Sequence, residues 1–193
     1  MNNKVIFIFL ITLSCATQAS HAANISWHEI TKHGDYQSLQ TLINNDLENI
    51  NTPDEDGLTP LHYAAYFSHL ECIDILLQHG AKVNALNRYE CTPLHLAAGK
   101  KSIDCLKLLV EHGATINHQD IDLWTPLHKA AVWGQLECVQ YLVEKGANIF
   151  ATTNTDQTPK EIATTKGHQN VADYLQLREN LTEINNYWNA NYE

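Results

Sequence analysis

A fixed interval of 33 residues runs through the middle of the chain and limits its folding choices. Thr59-Pro60-Leu61-His62 recurs as Thr92-Pro93-Leu94-His95 and as Thr125-Pro126-Leu127-His128, and a reduced copy, Thr158-Pro159, follows at the same spacing. Gly80, Gly113 and Gly146 keep that interval, as do Cys72, Cys105 and Cys138 and the alanine pairs beginning at Ala64, Ala97 and Ala130. Features this separate, aligned at one period over about a hundred residues, mean stacked copies of one small unit. A unit of that size cannot cover its own apolar face, but stacked neighbours bury a continuous core.

Local chemistry makes the unit a helical hairpin. Pro60, Pro93 and Pro126 suit the first turn of a helix, where no backbone donor is needed, and the threonine before each is a natural N-cap. A short helix is expected from Pro60 to about Phe67. A second, near Leu70–His79, carries Leu70, Cys72, Ile73, Leu76 and Leu77 at close to helical period. Gly80 then sits where a helix ends in a left-handed residue, with His79 and His112 beside the negative ends of their helix dipoles.

With these motifs the chain resembles the ankyrin-repeat family, whose repeat has this period and a T-P-L-H-x-A signature. The resemblance implies an all-α repeat solenoid of about five helix-turn-helix repeats with projecting β-turns or hairpins. The units are 25–56, 57–90, 91–123, 124–156 and 157–177 within a domain of 23–177, the first and last being divergent, polar caps. Residues 178–193 are expected either to extend the last helix or to form a tail. Two departures stand out. The turn glycine is present at Gly57 but replaced by Glu90, Leu123 and Asp156, which puts the shape of those turns in doubt; and Lys129 stands where the family prefers leucine.

The N-terminus reads as an address. Lys4 precedes nine apolar residues, Val5–Leu13, and then small and polar residues to Ala22, the pattern of a secretory signal. Nine residues rise only about 14 Å as a helix, short of a hydrocarbon core of about 30 Å. Residues 1–22 are therefore read as a signal peptide cut after Ala22, with a cut after Ala19 as the alternative and a lipoprotein reading at Cys15 as a weaker one. The expected location is periplasmic or secreted. No later run is long enough to span a membrane.

The chain has 12 basic and 22 acidic side chains, a net charge of −10. That balance opposes binding to nucleic acid or to an anionic membrane surface. Eleven histidines suggest metal, but His62, His95 and His128 sit in successive repeats about 8–10 Å apart, too far to share an ion whose ligands lie about 2 Å from it. Each ring is expected to hydrogen-bond within its own turn. His69, His79, His112, His118 and His168 fall at helix ends or turns and are expected to be solvated. The same spacing rules out disulfides among Cys72, Cys105 and Cys138, which read as buried thiols, and leaves Cys91 as the exposed one. Asp54/Asp56 and Asp120/Asp122 read as turn formers facing water rather than a catalytic carboxylate pair. No nucleophile elbow or phosphate loop occurs. No cofactor or metal is expected and the chain is not read as an enzyme.

What remains is a surface. In the family the projecting turns and the exposed side of the first helix form a concave face that binds proteins. Carried onto this chain's variable positions, that face holds Leu58, Tyr66, Phe67, Arg88, Tyr89, Asp122, Trp124 and Trp133, on a framework of Thr59, Pro60, His62, Thr92, Pro93, His95, Thr125, Pro126 and His128. Tyrosine and tryptophan dominate binding hot spots. Glu55, Asp56 and Asp122 give the rim a negative charge that favours a basic partner. The resulting expectation is a monomeric, exported, non-enzymatic interaction module. A secreted effector acting on a host protein is the second reading, and an enzyme with an unrecognised site a remote third.

Overall fold

The structure is a computed structural model that describes residues 26–45 and 49–192; the 1–22 signal segment lies outside the described residues. Ten helices follow one another among those residues: α1 (Trp27–His33), α2 (Tyr36–Asn45), α3 (Pro60–Phe67), α4 (Leu70–Gln78), α5 (Pro93–Ala98), α6 (Ile103–Glu111), α7 (Pro126–Val132), α8 (Leu136–Glu144), α9 (Pro159–Thr165) and α10 (Gln169–Tyr192). They form five hairpins. First helices pack in one row, α1 to α9, and second helices in another, α2 to α10. Leu61, Leu94 and Leu127 from the first row and Ile73, Leu76, Leu106, Leu109, Leu142 and Leu175 from the second are essentially inaccessible. This is the all-α repeat array the period implies. Residues 178–192 continue α10 as helix.

Hydrogen bonds tie each unit to the next. The Thr59 N–H donates to His62 Nδ1 (3.1 Å), and the opposite ring nitrogen lies 3.0 Å from the Cys91 carbonyl, 29 residues on. His95 bridges Thr92 N–H and the Trp124 carbonyl, and His128 bridges Thr125 N–H and the Gln157 carbonyl. Because Nδ1 accepts from a backbone N–H, Nε2 must carry the hydrogen and donate. The rings thus reach beyond their own turns, across the repeat boundary. In the last unit Glu161 replaces histidine and caps Thr158 N–H at 2.8 Å.

A second ladder lies at the other end of each hairpin. Asn51 Oδ1 accepts from Lys82 N–H (2.7 Å) while its amide donates to the Gly80 carbonyl (3.2 Å). Asn84 and Asn117 repeat this bridge to the units that follow them.

The glycine-less turns keep the shape of the glycine turn. Glu90, Leu123 and Asp156 have φ of 57°, 61° and 56°, left-handed like Gly57 at 80°. A non-glycine residue there costs roughly 1–2 kcal/mol, which the turn's own bonds offset. Asp54 Oδ1 accepts from the N–H groups of Asp56 and Leu58, and Asn87, Asp120 and Thr153 hold their turns in the same way. Neighbouring tips are stitched by Arg88 N–H to Asp56 O (2.9 Å), Ile121 N–H to Tyr89 O (3.1 Å) and Asn154 N–H to Asp122 O (3.0 Å).

Several side chains depart from expectation. Cys91 is buried, not exposed; its thiol donates to Asp120 Oδ2 at 3.5 Å and burial pushes its pKa up to about 11. Cys72, Cys105 and Cys138 are buried free thiols. His69 and His168 are half-buried and bond the Lys32 and Val132 carbonyls of the preceding hairpins, and His118 Nε2 is buried with no partner among the described residues. Asp120 does not face water: it is buried, with Oδ2 2.8 Å from Lys129 Nζ. Burial works to raise its pKa, but Lys129 and the Trp124 N–H outweigh it and hold the carboxyl below the usual range.

The residue nine positions after each turn-holder carries a polar donor where the holder is an acid and is apolar where the holder is neutral. Asp54 receives the Tyr63 hydroxyl at 2.7 Å, and Asp120 receives Lys129. Neutral Asn87 and Thr153 are followed at the same offset by Leu96 and Ile162. Lys129 therefore stands in place of leucine because an acid, rather than an amide, holds its turn. Removing one partner of a mostly buried pair leaves an uncompensated charge. Lys129→Leu alone should cost about 2 kcal/mol, and adding Asp120→Asn should restore most of it by recreating the Asn87/Leu96 pair. Urea unfolding of the single and double variants checks this; a double variant no more stable than Lys129→Leu would contradict the pairing.

Burial also depresses the bridging histidines, His95 to about 4 and His62 and His128 in the same direction. Unfolded, each titrates near ~6.5. Below that pH the unfolded chain takes up protons that the native rings refuse, so stability is full above about 6.5 and falls as pH drops toward 4. His95 alone is worth about 3 kcal/mol across that window. Thermal melts at pH 7.5 and 4.5 should show the loss, and His95→Gln, which keeps an acceptor and a donor without titrating, should narrow it.

Candidate functional site

The turns and the ends of the first helices present one face. The buried framework points its side chains into the array, so positions free of packing duty at the tips and after each alanine pair lie outside. Among them Trp133 is 64% exposed, Tyr89 56%, Tyr66 45% and Phe67 41%. Leu58 is half-buried, and Arg88 and Asp122 are exposed. Trp124 is half-buried: the Lys129 ammonium lies 4.7 Å from the centre of its ring, and the His128 ring lies 5.9 Å from it.

Part of this set converges. Tyr66 meets Phe67 edge-on at 5.0 Å, and Lys100 Nζ sits 3.7 Å above the Tyr66 ring, a cation–π contact. Trp133 lies against Gly99, where a Cβ would stand 3.1 Å from its Cδ1; the absent side chain lets the indole settle on the backbone. Leu58, Tyr66 and Phe67 line one cavity of about 260 Å³ with His62, Tyr63, Asn87 and Leu96. Sequence reasoning passed over Tyr63 and Leu96. Their signal was the open position after each TPLH, where the chain carries Tyr63, Leu96 and Lys129.

Tyr89, Arg88 and Asp122 stand apart, on the tips. Arg88 pairs with Asp56 at 3.1 Å and bonds the Glu55 carbonyl, and Asp122 accepts from the Asn154 amide at 2.9 Å. Exposed acids at the tips are Glu55, Asp56, Glu90, Asp122 and Asp156. The face is therefore apolar and aromatic at the first helices and negative along the tips. Among the described residues no three His, Cys, Asp or Glu side chains gather as metal ligands would, and no helix is long and apolar enough to cross a membrane.

The sequence of this array is similar to parts of several ankyrin-repeat-containing proteins. A stretch of a Dictyostelium discoideum protein described as "Ankyrin repeat, PH and SEC7 domain containing protein secG" is 37% identical over 36% of this chain and 7% of its own length. Ankyrin repeat domain-containing protein 49 of Bos taurus is 45% identical over 25% of this chain and 21% of its own length. A palmitoyltransferase of Schizosaccharomyces pombe, akr1, is 38% identical over 28% of this chain and 8% of its own length. The matches thus span less than a quarter of each relative. The family model for ankyrin repeats in three copies matches residues 27–120 and 117–186. With that coverage, and with histidine bridges and left-handed turns recurring at the same interval, the chain belongs to the ankyrin-repeat family, whose repeats form a protein–protein interaction module.

Proposed function

We propose that this chain is an exported, non-catalytic ankyrin module that holds a protein partner on its concave turn and first-helix face. The carrying observation is the exposed aromatic pair Tyr66 and Phe67 beside an apolar cavity, with a third exposed aromatic, Trp133, on the equivalent helix end two repeats on. Large exposed apolar groups that cluster on a surface mark an interaction site. The cavity takes one apolar side chain, and the acidic tips draw in a partner that carries lysine or arginine nearby. Tyr89 and Arg88 contribute from the tips; Trp124 serves chiefly as a platform under Lys129.

Removing a hot-spot aromatic costs about 2 kcal/mol, or about thirtyfold in affinity. Tyr66→Ala with Trp133→Ala should therefore lose the partner in quantitative affinity purification from the source cell while still unfolding cooperatively in a thermal melt, and raised salt should slow association with the unaltered chain. Retention of the same partner at the same level by the double variant would refute the face.

Export rests on Lys4, the Val5–Leu13 run and the small residues up to Ala22. N-terminal sequencing of the protein recovered from its cell should begin at Ala23. A chain that retains Met1, or one that begins at a lipidated Cys15, would count against this processing.

A further inference from the structure

Two edges of the proposed partner face carry opposite charge. Lys100 follows α5 at the position where the neighbouring units have Phe67 and Trp133, and exposed Lys101 comes next. The Lys100 ammonium is held 3.7 Å above the Tyr66 ring, a contact that fixes a cation without neutralising it. Lys32, Arg88, Lys129 and Lys160 each pair with a carboxylate, but among the described residues neither Lys100 nor Lys101 has one within ion-pair distance. At the tips the reverse holds. Glu55 and Glu90 are exposed and their carboxylates form no ion pair among the described residues, while Arg88 already answers Asp56.

The apolar cavity lies between these edges. Leu58 borders it on the turn side, two residues after Asp56, and Tyr66 borders it on the helix-end side, under Lys100. The eight residues of α3 separate the two, a rise of about 12 Å. The negative and positive edges are thus set apart by at least roughly the reach of four residues of extended chain, with the cavity in the middle.

We infer that the segment held on this face is bipolar: a lysine or arginine at the acidic tips, one phenylalanine-sized apolar side chain in the cavity, and a carboxylate at Lys100 and Lys101. The assignment rests on the partner face proposed above and gives it a direction. A wholly basic segment sets like charge against Lys100, and a wholly acidic one sets it against Glu55 and Glu90; such juxtapositions are how an interface rejects wrong partners. The rim suits an aromatic anchor, because Tyr66 and Phe67 already meet edge-on at 5.0 Å and a third ring can join them in the same geometry. A polyanion fits no better than an acidic peptide, since it would lie across the tips of a chain whose net charge is −10. The carboxylate is therefore that of a protein side chain or C-terminus.

Four fluorescein-labelled peptides of about ten residues, long enough to span both edges, test this on the full chain. Each has one central phenylalanine among serines and a charged pair at either end: lysine then glutamate, glutamate then lysine, lysine at both ends, or glutamate at both ends. In fluorescence anisotropy one of the two mixed peptides should bind at least about tenfold tighter than either single-sign peptide. Lys100→Glu with Lys101→Glu should weaken that mixed peptide about tenfold and make the all-lysine peptide the tightest. The neutral pair Lys100→Gln with Lys101→Gln should bring the mixed and all-lysine peptides level, and Lys107→Glu, the same change of sign elsewhere on the array, should leave the ranking unchanged. All-lysine binding as tight as mixed in the unaltered chain, a ranking unmoved by the changes at Lys100 and Lys101, or no binding of any peptide at about 1 mM would overturn the bipolar segment. If the all-lysine peptide binds best and loses its affinity in Tyr66→Ala with Trp133→Ala, the partner face stands and only the charge order fails. Mixed-peptide binding that survives that double variant would remove the face itself.

Discussion

One neutral imidazole, bonded on both nitrogens, joins each central repeat to the next. His62, His95 and His128 each take a backbone N–H from their own turn and reach a carbonyl 29 residues on. A ring so placed has no room to charge, because protonating Nδ1 would set a donor against the threonine N–H it now accepts from. A stack of short hairpins lacks the sequence-distant contacts that unify a globular domain, and so depends on nearest-neighbour bonds of this kind. The asparagine bridges at Asn51, Asn84 and Asn117 do the same at the opposite end of the hairpin, so two ladders fix the angle between units.

The turns show how a repeat tolerates change when substitutions come in compatible sets. A left-handed residue at the tip favours glycine, yet Glu90, Leu123 and Asp156 hold the same conformation. The turn-holder's side chain bonds two N–H groups in each case, and the tip N–H groups of Arg88, Ile121 and Asn154 bond the preceding turn. Charge at the turn-holder is then answered nine residues later, by Tyr63 and Lys129 where the holder is Asp, and by Leu96 and Ile162 where it is neutral. Lys129 looks like a lapse from pattern when its repeat is read alone. Set against its neighbours it is a compensation.

Sequence reasoning reached the architecture because the fold is written redundantly. Proline at the first helical turn, threonine before it and apolar spacing of the second helix each point to the same hairpin, three times over. It placed Cys91, Asp120, His69 and His168 wrongly for a single reason: their burial comes from the adjacent hairpin. A residue at the boundary of its own unit seems solvated until the neighbour stacks on it. The cavity was only half visible. Leu58, Tyr66 and Phe67 were found, Tyr63 and Asn87 of the same unit were passed over, and Leu96 closes the cavity from the next unit.

The division of labour between periodic and aperiodic positions accounts for what the surface can do. The Thr-Pro-Leu-His residues, alanine pairs and helix cysteines that recur at the repeat interval are buried, and the recurring histidines and asparagines spend their bonding on neighbouring units. The positions that break the interval, Tyr66 against Gly99 and Val132, or Phe67 against Lys100 and Trp133, are released from packing and differ from unit to unit. A rigid frame that fixes their spacing lowers the conformational cost of engaging a partner. Gly99 shows how closely the two classes interlock. It is a loss of side chain on the variable surface, and it is filled by the indole of the next repeat rather than left as a gap. The exposed aromatics are thus held by the frame without being used up in it, which is the condition a preformed recognition face must meet.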